Sequence, residues 1–387
     1  MSGIIAEYDP LHAGHAWHIT QTRKSYPNEP VVVVMSCCFT QRGAPALFSP
    51  HARAEMALRA GADIVLGLPV SFSVCNAERF ALGGVSILSA AGLVKSLSFG
   101  TEPGNEDIIL PAAQLLESPD ASFLRMLRDG LDRGLSFAHA QGDALAAHFK
   151  LPRDVFSAPN TVLGICYARA NLRLRANLDL LAVPRHGGYH AESLPDESTD
   201  DFPSAAAVRS AFLRDGLSAV THFVPSTTYD ILSSEQAKSC VHTPDALDDL
   251  LRWTLRTKYC FSHLPDLSEG IENRLPLGAD CITRNDMVQA IRAKRYPYAR
   301  INRLLTHVLL DTHAQDLSDL PSYAYLLGFR RKSASFLHNV KSFPLLPRLT
   351  PQASLPDQLL DARAWDLWAL GAHQPFGQLY RCKPVIL

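Results

Sequence analysis

The chain has no apolar run long enough to cross a membrane. Stretches such as Val31-Val32-Val33-Val34-Met35 fall far short of the roughly 20 residues a span needs, so no membrane association is expected. No basic segment followed by a long apolar one precedes Gly3-Ile4-Ile5-Ala6, so no secretory signal is expected either. The eight cysteines are scattered without a C-x-x-C pair, which argues against a disulfide framework or a zinc ribbon and for reduced thiols in the cytoplasm. Net charge is nearly absent: 37 basic residues stand against 38 acidic ones. The whole chain is therefore not a generic polyanion binder, and any nucleic-acid surface must come from local clusters of Lys and Arg. Internal repeats and low-complexity segments are lacking too. What is present is 387 residues with 47% hydrophobic content, enough for two or three packed domains.

Strand and helix signals alternate over the first hundred residues. Ile4 to Tyr8 reads as a strand ending in the turn Asp9-Pro10, and helical spacing begins near His15. The β-branched run Val31 to Met35 reads as a buried parallel strand. A Gly- and Pro-rich loop from Ser36 to Pro50 leads into a helix over Ala52 to Ala60. Strands follow at Ala62 to Pro69 and Lys95 to Phe99, with a helix at Phe80 to Ala91 between them. This rhythm predicts an α/β doubly wound parallel sheet, whose ligands sit beyond the carboxyl ends of the strands. His12, Ser36, Pro69 and Gly100 fall there. A helical insertion is expected at about 107–150, another strand at Asp179 to Val183 and a helix at Ala205 to Leu213. Beyond Glu235 helices dominate, notably Leu247 to Thr257 and Arg284 to Asp311. These signals divide the chain into an α/β unit, 1–230, and a mostly helical C-terminal unit, 231–387.

His12-Ala13-Gly14-His15 follows the first strand and opens the first helix. Two histidines three apart share one side of a helix. A helix N-terminus offers unpaired N–H groups and the positive end of a dipole. Gly14 is expected to let a phosphate approach the backbone closely. Together they form a seat for a polyphosphate, with the imidazoles stabilising charge as pyrophosphate leaves. The same four residues also fit two structural histidines or a metal pair. No third metal ligand is obvious nearby, and no metal site is expected. Arg185 after a strand and Arg209 on a helix are candidates for phosphate contact by guanidinium fork. Asn160 either reads an adenine edge or ribose hydroxyl, or is a turn residue after Pro159. Arg292, Lys294, Arg295, Arg300 and Arg303, with Tyr296 and Tyr298 among them, form a local basic patch. Such a patch neutralises RNA phosphates and stacks an unpaired base, or is simply a solvated helix face. Arg330-Arg331-Lys332 is too short to make a comparable patch.

The opening Gly3-Ile4-Ile5-Ala6-Glu7-Tyr8-Asp9-Pro10-Leu11-His12-Ala13-Gly14-His15 resembles that of bacterial tRNA(Met) cytidine acetate ligases, G-x-x-x-E-Y-N-P-F-H-N-G-H. The resemblance continues in order along most of the chain. It includes Gln41-Arg42-Gly43-Ala44-Pro45-Ala46, Gly61-Ala62-Asp63 with Leu68-Pro69, Phe80-Ala81-Leu82-Gly83-Gly84-Val85 and Phe99-Gly100-Thr101-Glu102. It runs on through Pro159-Asn160-Thr161, Arg185 with Gly188-Tyr189-His190, Ser204 to Arg209, Glu269 to Arg274, Lys294-Arg295-Tyr296 and Leu327-Gly328-Phe329. Only the first motif is shared with the wider nucleotidyltransferase superfamily.

The resemblance implies a Rossmann-like fold of the HIGH superfamily and an ATP-dependent, Mg2+-requiring enzyme. It would activate acetate as acetyl-adenylate and acetylate N4 of the wobble cytidine of elongator tRNA(Met). The implied catalytic residues are His12 and His15. The implied ATP site is Ile5 to Leu11, His12 to His15, Ala16-Trp17-His18, Gly100, Asn160, Arg185 and Arg209. The helical unit would hold the tRNA, and no stable protein partner is implied. Four departures stand out: Asp9 for Asn, Cys37 for Gly, Gly67 for Glu before Leu-Pro, and Ala206 for Thr. The spacing after Arg185 is also one residue shorter. A lost hydroxyl and a lost carboxylate predict a looser, slower site. Two other readings of H-x-G-H stay open here: an adenylyltransferase of cofactor synthesis, and a non-catalytic RNA-binding homologue.

Overall fold

The computed structural model describes every residue except 91, 93, 186–192, 197–200, 259, 294, 341, 342 and 351. Five parallel strands form its centre: β1 (Ser2–Ala6), β2 (Val31–Ser36), β3 (Ile64–Leu68), β4 (Ser96–Thr101) and β5 (Asp179–Pro184). The order across the sheet is β5-β4-β1-β2-β3. The β-branched run of β2 serves two cores at once, because successive side chains of a strand face opposite ways. Val31, Val33 and Met35 enter one apolar layer, and Val32 and Val34 the other. Helices cover both faces: α1 (Ala13–Ser25), α2 (Pro50–Arg59), the short α3 (Val70–Ser73) and α4 (Ala77–Ala90). The expected insertion is three helices, α5 (Ile109–Glu117), α6 (Ala121–Asp132) and α7 (Phe137–Phe149), leading into α8 (Pro159–Arg173). Then come α9 (Ala205–Asp215) and α10 (Ser226–Ala237).

From β1 the chain winds one way through β2 and β3, then returns to the other side of β1 for β4. The crossovers leave the gap between β1 and β4 in opposite directions, and a crevice opens at the carboxyl ends of these two strands. No described helix is long and apolar enough to cross a membrane.

The C-terminal part differs from the expected division at 230/231. Residues 248–308 do form a helical module with a core of its own, from α11 (Asp248–Thr257), α12 (Arg284–Ile291) and α13 (Tyr298–Leu310). The chain then comes back to the sheet. β6 (Ala324–Phe329) pairs antiparallel with β3, and the two-residue strands β7 (Leu345–Leu346) and β8 (Val385–Ile386) pair with β6. The helix Pro356–Gly371 buries Trp365 and Trp368 in the same core as β2 and α2. The expected single helix Arg284 to Asp311 is two helices. Proline has no N–H to continue a ladder, and Pro297 sits at the N-cap of α13.

Candidate active site

A cavity of about 710 Å³ opens at the β1/β4 crevice. Among its lining residues are the end of β1 from Ile4 to Asp9, His12, His15 and His18, Phe99 and Gly100, Asn160, Arg185 and Arg209. Three helices begin at it: α1, α8 and α9.

His12 caps α1 in an unusual way. Its Nδ1 accepts the Gly14 N–H at 3.1 Å, while its own N–H donates to His15 Nδ1 at 3.3 Å. The two imidazoles thus fill both roles of a capping box. Each ring has its Nδ1 lone pair engaged, so the neutral form of each carries its proton on Nε2. The rings lie 3.7 Å apart between centroids, with Tyr8 edge-on to His15 at 5.0 Å. Burial, reinforced by Arg185 and Arg209, lowers the His12 pKa to about 3. Burial, followed by the neighbouring His12 and Arg185, takes His15 well below the ordinary value.

A hydroxyl chain fixes His18 as well. Thr22 Oγ1 donates to the His18 carbonyl at 2.9 Å, so it accepts from Ser98 Oγ at 2.7 Å. Ser98 in turn accepts from His18 Nε2 at 2.9 Å. Nδ1 is the ring nitrogen of His18 left for a ligand. Burial and then Arg185 lower its pKa to about 4. All three histidines are neutral at physiological pH, and they stand in a cavity lined by Arg42, Arg185 and Arg209 and by the carboxyl groups of Glu7 and Asp9.

The other walls follow from local sequence. Asp9, joined to Pro10 by a cis peptide, accepts the Leu47 N–H at 2.8 Å and lies 3.8 Å from Arg209, which also donates to the Asp9 carbonyl at 2.7 Å. The Asp9 carboxylate therefore ties the 36–50 loop and α9 to the end of β1. The stem of Arg185 crosses over Gly100, where a Cβ would stand 3.5 Å from Cγ. Glu102 takes the first N–H groups of α8: Oε1 accepts from Asn160 N and Nδ2, and Oε2 from Thr161 N and Oγ1, at 2.7–3.2 Å. The Asn160 side chain is thereby oriented with its oxygen left as an acceptor. Glu7 accepts the Gln41 N–H, and burial raises its pKa.

Several expectations change. Gly14 lines the cavity, but its N–H is already taken by His12, and a Cβ there would meet the His12 ring at 3.0 Å and Phe202 at 3.1 Å. Glycine is needed because two side chains pack on it. Of the expected ATP residues, Pro10, Leu11, Ala13 and Ala16 lie outside the cavity wall, and Leu11 is fully buried in the core. Cys37 and Gly67 do not line the cavity either. Cys37 Sγ occupies the space a Gly67 side chain would need, 2.7 Å from where its Cβ would stand. These two departures are one exchange of volume within the core. Ala206 does line the cavity, beside Ser204, which caps α9 through Ala207 N.

The basic patch is not a single face. Arg303 is buried, 3.5 Å from Asp266, and Arg300 folds onto Asp266 and Ser268. Arg292, stacked over Tyr298 at 4.5 Å, and Arg295 are exposed, and Lys294 lies outside the described residues.

Thr40, Gln41 and Arg42, which line the cavity, and the buried Arg53 are not among the residues expected from the sequence. Arg53 donates to the carbonyls of Phe48 (3.1 Å), Glu7 (2.6 Å) and Cys37, joining α2 to the loops around the cavity. The signal for the loop residues in the sequence is the Gln41-Arg42-Gly43 run of the family resemblance. Among the described residues, His263, Asp311 and His313 come close enough to share a metal, away from the cavity, with Asp311 already paired to Lys258.

A parallel sheet with a helix-capping H-x-G-H at its switch point defines a Rossmann-like fold of the nucleotidyltransferase type. The chain matches the family described as HIGH Nucleotidyl Transferase over residues 1–377. It is 33% identical to the tRNA(Met) cytidine acetate ligase of Caldanaerobacter subterraneus subsp. tengcongensis, covering 94% of this chain and 92% of that one. It is also 33% identical to the enzyme of that name from Clostridium tetani, over 90% and 89% of the two chains. A solved structure of Thermotoga maritima TmcAL bound with alpha-thio ATP superposes with a TM-score of 0.88 at 27% identity, covering 100% of this chain and 99% of that one. The chain belongs to the tRNA(Met) cytidine acetate ligase family of HIGH nucleotidyltransferases.

Proposed function

We propose that this enzyme activates acetate with ATP and passes the acetyl group to N4 of the wobble cytidine of elongator tRNA(Met). One observation carries the reading: two neutral imidazoles, locked with Nε2 protonated, face the same cavity as Arg185 and Arg209. Preorganised donors of this kind stabilise charge that develops as pyrophosphate leaves, and they need no proton transfer. In the proposed sequence an acetate oxygen attacks the α-phosphorus. His12, His15 and the two arginines hold the departing phosphates, and Asn160 and His18 orient the nucleoside. The cytidine amine then attacks the acetyl carbonyl and AMP leaves.

Mg2+ accompanies the ATP phosphates in this proposal and spreads their charge when bound. The cavity carboxylates are Glu7 and Asp9. Asp9 is engaged through both oxygens by the Leu47 N–H and Arg209, and Glu7 through Oε1 by the Gln41 N–H, so Glu7 Oε2 is the carboxylate oxygen that would fit such an ion. The tRNA would be held in part by exposed Arg292 and Arg295 on the helical module. Of Cys37, Gly67 and Ala206, the departures that suggest a degenerate homologue, the first two give that reading no support because they lie in the core, and only Ala206 lines the cavity. The test is incorporation of labelled acetate into an elongator tRNA(Met) transcript. Label is expected with ATP present and is expected to disappear when the wobble cytidine is replaced by uridine. Label retained in the uridine transcript would overturn the reading.

A further inference from the structure

The loop that walls the cavity is held from outside it. Gly43 has φ +85°, and a Cβ there would stand 2.7 Å from both Arg303 N and Asn302 C, so the loop backbone rests directly on the backbone of α13. Its carbonyl accepts from Arg284 Nη2 at 3.0 Å and from Thr306 Oγ1 at 2.5 Å. Arg284 also donates to Thr306 Oγ1 at 2.7 Å and to the Asn302 carbonyl at 2.6 Å. Its guanidinium is thus spent on oxygens that surround one glycine.

On its other side the loop is a tight turn. Gly43 N donates to the Thr40 carbonyl at 2.9 Å, and Thr40 N to the Ala44 carbonyl at 2.8 Å. The turn ends on the cavity, where Gln41 N donates to Glu7 at 2.5 Å and Gln41 Nε2 to the Cys75 carbonyl at 2.7 Å. Thr40, Gln41, Arg42 and Ala44 all line the cavity.

We propose that Arg284 and Thr306, on the helical module, are positioning residues for ATP binding: by holding Gly43 they set Gln41 and Arg42 in the cavity wall. The inference rests on the ATP-site reading above. The turn's internal bonds, Gly43 N to Thr40 and Thr40 N to Ala44, couple Gly43 to its neighbours, so releasing Gly43 is expected to shift Arg42 and weaken the Gln41 N–H bond to Glu7. It also makes the module proposed to hold tRNA and the nucleotide cavity one connected unit.

Thr306→Val keeps the shape and removes the hydroxyl, whereas Thr306→Ser keeps the hydroxyl. The valine variant is expected to raise the KM for ATP in acetate-dependent ATP–pyrophosphate exchange about five- to tenfold, the size of one lost hydrogen bond. Its kcat should change less than twofold, and serine should restore KM. Arg42→Ala should give a similar rise, and the Thr306→Val/Arg42→Ala pair no more than the larger single effect. Wild-type KM in the valine variant overturns the proposal, as does equal loss in the valine and serine variants that tracks melting temperature, or full additivity with Arg42→Ala. Should Thr306→Val fail to fold, Gln41→Ala with Arg42→Ala decides: unchanged KM in both overturns the proposal. If wild type shows no acetate-dependent exchange, the functional reading fails separately, and ATP-analogue affinity by calorimetry on the same variants still decides this one.

Discussion

Replacing Gly67 with alanine tests whether Cys37 and Gly67 are a packing exchange. The new Cβ would stand 2.7 Å from Cys37 Sγ, 3.1 Å from Tyr325 Cβ and 3.3 Å from Leu327 Cδ1. A well-packed core resists such an insertion by about 1–3 kcal/mol. Alanine recovers about 0.5–1 kcal/mol over glycine within a strand, so Gly67→Ala should destabilise by up to about 2.5 kcal/mol, with about 1 kcal/mol as the central value. Cys37→Ala alone removes a buried sulfur and should cost about 1 kcal/mol. In the double variant the tightest contact is gone and the new methyl fills the vacated space. The pair should therefore be more stable than the sum of the singles by about 1–2 kcal/mol, well outside the range of independent sites. Urea unfolding of the four chains at constant slope measures this. Additive singles, within about 0.3 kcal/mol, would refute the reasoning. Neither residue lines the cavity, so exchange rates at saturating ATP should agree within about twofold across the set.

Two further predictions concern the histidines. In His12→Asn the side-chain oxygen still accepts the Gly14 N–H, but the Nε2 donor is gone; exchange should fall about 10²- to 10³-fold at an unchanged urea midpoint. His12→Ala should lose a similar rate and about 1 kcal/mol of stability besides; equal stability of the two variants would argue against the imidazole cap. Stability should also depend on pH with a definite sign. Folding lowers the pKa of His12 from 6.5 to about 3, and those of His18, His51 and His307 to about 4, in each case through burial first. The unfolded chain then binds more protons between these values, so stability present above pH 6.5 is lost as pH falls toward 4. The urea midpoint should drop between pH 7 and pH 5, and one that holds or rises would contradict the burial argument.

How much was readable in advance depended on whether a segment's state was set locally. The β-branched run of β2 has one plausible state, and a His–Gly–His sequence just after a strand points to a helix N-terminus without knowledge of the fold. The strand β6, Ala-Tyr-Leu-Leu-Gly-Phe, is short and apolar on both faces, equally apt for a buried helix; pairing with β3 decides it, some 260 residues away in sequence. In sequence Arg303 resembles its basic neighbours; what sets it apart is three-dimensional, since a distant loop rests on its backbone at Gly43 and its buried side chain turns to Asp266. Gly14 lines the cavity, and the further constraint on it, the ring of His12, shows only once the helix cap is formed. The Cys37 and Gly67 departures looked like losses one at a time; their contact is visible only when β2 and β3 are side by side.

The central claim is that His12 and His15 serve ATP-dependent activation of acetate. Acetate-dependent exchange of labelled pyrophosphate into ATP, without tRNA, tests it most directly. The wild-type enzyme should exchange label only when acetate is present, and the His12→Ala/His15→Ala double variant should lose at least about 10²-fold. Exchange that needs no acetate, or that survives undiminished in the double variant, would contradict the account.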